Sequence, residues 1–333
     1  MLIPGGLTYN GEKISHEALV KILKKISKQD IKIFVIPNFR DIDNPSAKAY
    51  YGNGSTPTPS ISAEEFEKLY QDFGYKDPIA KDPNSLSYLA QAFKGIWILG
   101  IDVDALTDQI KPETFEWISY WVAKAKEKNI TLLPMCSRNI TEQFVGEAIF
   151  GPAYIINNHT TAENELTDDG LRIIFTAQAN DITMFSEGEN ILYDIATDML
   201  LSPPFAYRMI SLEQGFMNIE TRYIKSINAA IPGGGDFLTY SNICLAQRLT
   251  KIFINILMNS YHLPLGDAVT PGTASYYAPH YARGLAAFYA GDEQFPPLEE
   301  EFSKDWPYPF GFALKTLYTD LPPTDGQYII DMK

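Results

Sequence analysis

Asp41 follows Asn38, Phe39 and Arg40, so one carboxylate and one guanidinium sit together just past the β-branched run 31–36. Arg138 stands in a similar place after Cys136 and Ser137. A guanidinium offers a planar two-pronged fork to phosphate or carboxylate. Arg40 and Arg138 are therefore candidate anion-binding residues, with a small anionic or phosphate molecule as their ligand. The competing reading, and the stronger one on sequence, is that Asp41 and Asp181 absorb these charges in salt bridges. Cys136 would need a neighbouring base to act as a nucleophile. No histidine lies near it in sequence, and a small buried residue is the simpler reading. The histidines are scattered: His16 in a helix start, where a partly exposed and passive role is expected, then His159, His262 and His280. No two have the spacing of a zinc pair. The glycines at 233–235 lack the Lys-Ser/Thr of a phosphate-binding loop, and no G-x-S-x-G elbow occurs.

Four stretches carry more information together than apart. They are Gly5-Gly6-Leu7-Thr8-Tyr9-Asn10-Gly11-Glu12, Val35-Ile36-Pro37-Asn38-Phe39-Arg40-Asp41-Ile42, Leu133-Pro134-Met135-Cys136-Ser137-Arg138 and Phe175-Thr176-Ala177-Gln178-Ala179-Asn180-Asp181-Ile182. In this order they resemble the calcineurin-like metallophosphoesterase family, above all its bacterial phosphodiesterase-type members with a helical C-terminal extension. That family's pattern runs D-x-H, G-D, G-N-H-D, a later H, then G-H-x-H. The resemblance covers about residues 1–225. It is supported by Asp43-Asn44-Pro45, Ser85-Leu86-Ser87-Tyr88 and Trp97-Ile98-Leu99-Gly100-Ile101-Asp102. Weaker echoes occur at Phe288-Tyr289-Ala290-Gly291-Asp292-Glu293 and Asp320-Leu321-Pro322-Pro323-Thr324-Asp325.

The family would use two divalent metals, held by carboxylates and imidazoles at strand ends, to activate a bridging water. Here the matching positions carry other side chains. The bridging aspartate falls on Gly6, the asparagine on Phe39 and the histidine on Arg40, while Asp41 persists. The later histidine falls on Ser137, or less well on Cys136. The G-H-x-H motif shrinks to Ala177-Gln178 before Asn180. Cys136, Gln178 and Asn180 could ligate something, but thiolate prefers softer metals and neutral amides are weak substitutes for imidazole. The expectation is a catalytically degenerate homologue, without metal or other cofactor, that binds or scaffolds. The alternatives are an active phosphodiesterase with an altered site, and a purely structural interaction module.

Positioning such loops requires an alternation of helices and strands. Helical spacing begins after Ser15 as N-cap, with Leu19, Ile22, Leu23 and Ile26. Ser62 and Glu65 form a capping box ahead of Phe66, Leu69 and Tyr70. Phe115, Ile118 and Val122 mark another helix, while 95–103, 130–134, 154–157 and 173–176 read as strands. From 191 to about 227 the chain is strand-rich. Beyond 230, Ile243, Ala246, Leu249, Phe253 and Leu257 outline a long helix, with a second over 275–289 and an irregular Pro- and aromatic-rich tail. The expected fold is α/β or α+β layered: a metallophosphoesterase-like β-sandwich flanked by helices over 1–230, plus a smaller helical domain over 231–333.

The 333 residues carry a formal charge of −14, which repels phosphate backbones and argues against nucleic acid as a partner. Two cysteines are too few for a disulfide scaffold. No apolar run is long enough for a membrane span. No export signal is read at the N-terminus, although members of the family are often exported, so the compartment is left open. The D-x-H strand is missing before Leu2-Ile3. A strand there would lose a neighbour, so a rearranged or covered edge near residues 1–8 is expected, with self-association through that edge as one outcome.

Overall fold

The computed structural model describes residues 1–51, 54–103, 110–137, 173–177, 182–187, 190–197, 205–213, 215–228, 230–231, 234–259, 270–290, 304, 311, 314–315 and 326–332. Two compact units result, Met1–Gln178 with Met184–Ile195, and Ala179–Thr183 with Ala196–Lys333.

The first unit opens with a β-α-β turn of chain. Strand β1 (Leu2–Pro4) runs parallel to β2 (Phe34–Ile36) through helix α1 (Lys13–Ser27). β2 is apolar and wholly buried, as a run with Val35 and Ile36 at its centre should be. Pro37 cannot donate to a ladder and ends it. Helix α1 is capped three residues before the expected Ser15, by Glu12, which makes no side-chain cap bond. Its inward stripe is His16, Val20 and Leu23. The hairpin of β3 (Lys48–Tyr51) and β4 (Gly54–Pro57) follows, then helix α2 (Ala63–Leu69). The capping box is present: Glu65 N donates to Ser62 Oγ at 3.2 Å and Ser62 N donates back to Glu65 Oε2 at 3.1 Å.

A mixed seven-stranded sheet forms the rest of this unit. Its order is β10-β11-β9-β8-β7-β6-β5. The strands are β5 (Ala80–Lys81), β6 (Tyr88–Phe93), β7 (Ile96–Ile101), β8 (Thr131–Cys136), β9 (Ile173–Ala177), β10 (Ile182–Glu187) and β11 (Asn190–Thr197). β7, β8 and β9 run parallel, and helix α3 (Pro112–Glu127) makes the crossover from β7 to β8. Pro112 at the start of α3 loses no bond, because the first helical N–H groups have no partner within the helix. Leu89, Leu99, Ile101, Ile118 and Val122 pack into one core. β1 lies against β8 and β9, and β2 against β7. Tyr88 fastens the layers, its hydroxyl donating to Val35 O at 2.9 Å. Gly74 and Gly100 leave the space its ring fills.

Among the described residues β1 has β2 as its one hydrogen-bonded neighbour. The expected strand at 154–157 lies outside the described residues.

The second unit contains an antiparallel sheet of β12 (Ala206–Glu213), β13 (Phe216–Tyr223) and β14 (Gln327–Asp331). β14 corrects the reading of the tail as irregular: Tyr328 and Ile330 take places opposite Ile219 and Met217. Helices α4 (Phe237–Asn259) and α5 (Pro271–Ala290) pack together, with Phe253 stacked on Tyr281 at 5.5 Å. Alanines 274, 278 and 282 are fully buried, and their small side chains allow a close approach. No described helix is long and apolar enough to cross a membrane.

Candidate functional site

Three strand ends meet. β1 delivers Gly5 and Gly6, β2 delivers the loop 38–41, and β8 delivers Ser137. Both glycines take positive φ, +94° and +64°. Gly5 turns the chain back, its N–H donating to Ile3 O at 3.0 Å. A Cβ on Gly5 would lie 2.9 Å from Ser137 Cβ and 3.0 Å from Asn38 Cβ, so the three loops are in direct contact. Asn38 shapes its own turn. Its Oδ1 accepts from Arg40 N at 2.8 Å and Asp41 N at 3.2 Å, the Asx geometry that lets a short polar side chain stand in for backbone.

Asp41 points into the protein. It is fully buried, and its carboxylate collects donors from two loops. Oδ1 accepts from Thr8 N at 2.7 Å and from the Thr8 hydroxyl at 3.2 Å, and Oδ2 accepts from Asn38 N at 2.9 Å. Burial pushes this carboxyl up from 3.8 to about 6, against the downward pull of backbone N–H groups of Asn38, Thr8 and Leu7. The Thr8 hydroxyl also accepts from Gly11 N at 2.9 Å, which closes the turn.

His16 buttresses the same loop. Its Nε2 lies 2.8 Å from the backbone oxygen of Asp41, and its Nδ1 lies 2.8 Å from the Tyr70 hydroxyl. A carbonyl can only accept, so Nε2 carries the hydrogen and Nδ1 accepts from Tyr70. The ring is then neutral, consistent with burial lowering its pKa. It also meets Phe66 edge-on at 6.0 Å. This overturns the expectation of a partly exposed, passive His16: the residue is fully buried and holds the loop that ends in Asp41. Tyr70→Phe leaves Nδ1 without its donor and is expected to cost about 1–2 kcal/mol of stability. Urea denaturation reads this, and unchanged stability would contradict the tautomer.

The expected salt bridge between Arg40 and Asp41 is not formed. Adjacent residues in a tight turn face opposite ways, and backbone N–H groups reach the carboxylate first. Arg40 is exposed, with its guanidinium over the Phe39 ring at 5.3 Å. Cys136 is buried in the core and Ser137 is 1% exposed at the loop junction. Arg138, Gln178, Asn180, Asp181, His159 and His262 lie outside the described residues. His280 sits on α5, with Arg283 Nη2 at 2.9 Å from its Nδ1. Sequence reasoning missed Thr8 and Tyr70. Thr8 had a signal, a hydroxyl three residues before Gly11, while Tyr70 and His16 meet only through the fold.

A pair of divalent metals would need converging carboxylates and imidazoles. The donors here do not fit. Gly6 offers no side chain, Phe39 none that ligates, Arg40 is itself a cation, and the Asp41 oxygens already hold their donors. Among the described residues no group of three His, Cys, Asp or Glu side chains is placed to hold a metal.

Two further aspartates hold loops together. Asp82 accepts from the hydroxyls of Ser85 at 2.5 Å and Thr114 at 2.6 Å, joining the loop before β6 to the start of α3. Asp102 Oδ2 accepts from Leu86 N at 3.0 Å, and Asp102 N donates to Ser87 Oγ at 2.9 Å.

No protein-family profile and no curated protein matches this sequence. Among solved structures, the chain is similar to a dimetal phosphatase from Danio rerio, at TM-score 0.45 and 7% identity, over 67% of this chain and 80% of that one. It is also similar to a purple acid phosphatase from yellow lupin (Lupinus luteus) seeds, at TM-score 0.41 and 11% identity, over 67% of this chain and 43% of that one. Overlaps this low leave the functional reading to the residues themselves.

Proposed function

We propose that this chain is a catalytically degenerate, metallophosphoesterase-like binding protein. The observation that carries the reading is the enclosure of Asp41. The one acidic residue kept from the metal-binding pattern is buried, and its oxygens accept from Thr8 and Asn38. A metal would have to displace those donors and leave them unpaired, at roughly 1–3 kcal/mol each. Even indirect changes around a metal commonly cost about 10–100-fold in affinity or activity. The replacements at Gly6, Phe39 and Arg40 fall on the ligand positions themselves. What supports a binding role is the convergence of three loops at Gly5, Asn38 and Ser137, where Gly6, Phe39 and Arg40 offer no metal-ligating side chain.

The test is hydrolysis of bis-p-nitrophenyl phosphate with Mn²⁺ present. The expected rate equals that of the metal solution alone. A rate above that background, saturable in substrate and abolished by chelator, would overturn the proposal.

A further inference from the structure

Gly5, Asn38 and Ser137 lie where strands of the first unit end; the starts of β2, β7 and β8 lie at its other end, with the last turn of α3. Lys94 and Gly95 form the turn between β6 and β7, and Gly95 O accepts from Thr131 N at 2.9 Å, which ties this turn to the start of β8. Gly95 takes φ +82°, and a Cβ placed there would meet nothing within 4 Å, so the turn stands clear of the body. Phe93 beside it is 63% exposed. Lys32 reaches it from the start of β2: its Nζ donates to Ala92 O at 2.6 Å and lies 5.5 Å from the centre of the Phe93 ring. Past the turn, Lys128 Nζ lies 5.7 Å from the centre of the Trp97 ring. Trp97 meets Trp121 edge-on at 6.3 Å, Trp121 meets Tyr120 at 5.1 Å, and Lys124 Nζ lies 5.9 Å from the Tyr120 ring. Aromatic rings and ammonium groups thus alternate from Lys32 to Lys124.

Two independent properties single this end out. The first is charge. Residues 30–32, 93–97 and 120–131 carry five lysines, Lys32, Lys94, Lys124, Lys126 and Lys128, against two carboxylates, Asp30 and Glu127, in a chain of net charge −14. Glu127 is held by Lys124 at 2.6 Å. The dipole of α3 accounts for lysines in its last turn, but not for Lys32 or Lys94, which lie outside any helix. The second property is apolar surface left in water. Phe93, Tyr120 at 55% and Ile31 at 39% are all exposed, each close in the chain or in space to one of these lysines. Exposed apolar groups gathered beside cations mark an interaction surface.

We infer that this end of the first unit docks on an anionic lipid surface, Phe93 entering the headgroup layer while Lys32, Lys94 and Lys128 meet the lipid phosphates. Aromatic rings favour the boundary between membrane and water, and a lysine stem lies along apolar surface with its ammonium at the rim. Charge fixes the orientation. A chain of net charge −14 is repelled by an anionic bilayer except where lysines face it. An acidic polypeptide would answer the lysines but offer Phe93 no apolar layer to enter. The loops at Gly5, Asn38 and Ser137 then lie at the far end of the strands from the bilayer. The inference stands whether or not the chain hydrolyses phosphodiesters.

The experiment is co-sedimentation of the full chain with vesicles of phosphatidylserine and phosphatidylcholine, with vesicles of phosphatidylcholine alone as the comparison. Binding is expected to the anionic vesicles only, and it should weaken as salt rises. A lysine near such a surface contributes about fivefold in partition, so Lys94→Gln combined with Lys128→Gln should weaken binding by roughly 25-fold. Phe93→Ala should weaken it about tenfold. All three residues are exposed, so the variants should keep the fold, and far-UV dichroism checks this. Three results would each overturn the inference: no binding to the anionic vesicles, equal binding to the neutral ones, or binding unchanged in either the lysine variant or Phe93→Ala. Capture of the chain by immobilised poly-glutamate without vesicle binding would also overturn it, and would assign the lysines to an acidic polypeptide.

Discussion

Asp41→Ala is expected to lower the stability of the first unit by about 4 kcal/mol at pH 7. The variant leaves the Thr8 N–H, the Thr8 hydroxyl and the Asn38 N–H without their acceptor in a dry site, at roughly 1–3 kcal/mol for each orphaned donor. Relief of the buried charge offsets part of this. The pH dependence of the same group separates the two effects. The folded pKa of Asp41 is about 6 against an ordinary 3.8, so its contribution is full below about 3.8 and is lost as pH rises through about 6. That difference of about two units corresponds to about 3 kcal/mol. His16 works in the opposite direction. Its pKa is lowered, so its contribution is present above the ordinary 6.5 and is lost as pH falls through its lower folded value. The raw stability curve mixes both. The difference between wild type and Asp41→Asn isolates the carboxyl, because Asn cannot titrate. That difference should move in favour of wild type by about 2.5 kcal/mol between pH 7 and pH 4. Urea denaturation at a series of pH values measures it, and a pH-independent difference would mean that Asp41 is not enclosed as described.

Gly5→Ala should be nearly as damaging. A backbone at φ +94° is strained for any residue with a Cβ, by about 1–3 kcal/mol. The new methyl group would also stand 2.9 Å from Ser137 Cβ and 3.0 Å from Asn38 Cβ. Overpacking of this kind costs a further 1–3 kcal/mol or so. The two causes separate in a double-mutant cycle. Ser137→Gly removes one of the crowding atoms, so the pair should recover part of the loss while the strain at φ +94° persists. Thermal or urea unfolding of the four proteins gives the coupling. A neutral Gly5→Ala, or no coupling to Ser137, would show that the loops after β1 and β8 do not meet.

Features written in local chemistry were legible before the structure. The Ser62–Glu65 capping box needs three residues of spacing and was readable as such. The continuous apolar run over β7 reads as a strand buried on both faces, and the inward stripe of α3 follows from a period of three to four; both were found. Pro37 ended its strand for a reason internal to proline. What failed was non-local. The convergence of Gly5, Asn38 and Ser137 depends on three strands brought side by side by two crossovers, and no window of sequence contains it. β14 was read as irregular chain because its partner β13 lies about a hundred residues earlier. His16 was within reach: with Val20 and Leu23 it completes the inward stripe of α1, and weighting its polarity over its position placed it outside. The Arg40–Asp41 ion pair was misjudged because adjacency in sequence was taken for adjacency of side chains. Asp41 turns inward to the N–H groups of Thr8 and Asn38, while Arg40 lies outside over Phe39.

Manganese binding tests the central claim most directly. The full chain, stripped with chelator and dialysed, is titrated with Mn²⁺ while free ion is followed by electron paramagnetic resonance. The enclosed Asp41, the ligandless Gly6 and Phe39, and the cationic Arg40 predict that the free-ion signal rises from the first addition, with no stoichiometric binding. Loss of signal up to two equivalents per chain would contradict the account and restore a two-metal centre.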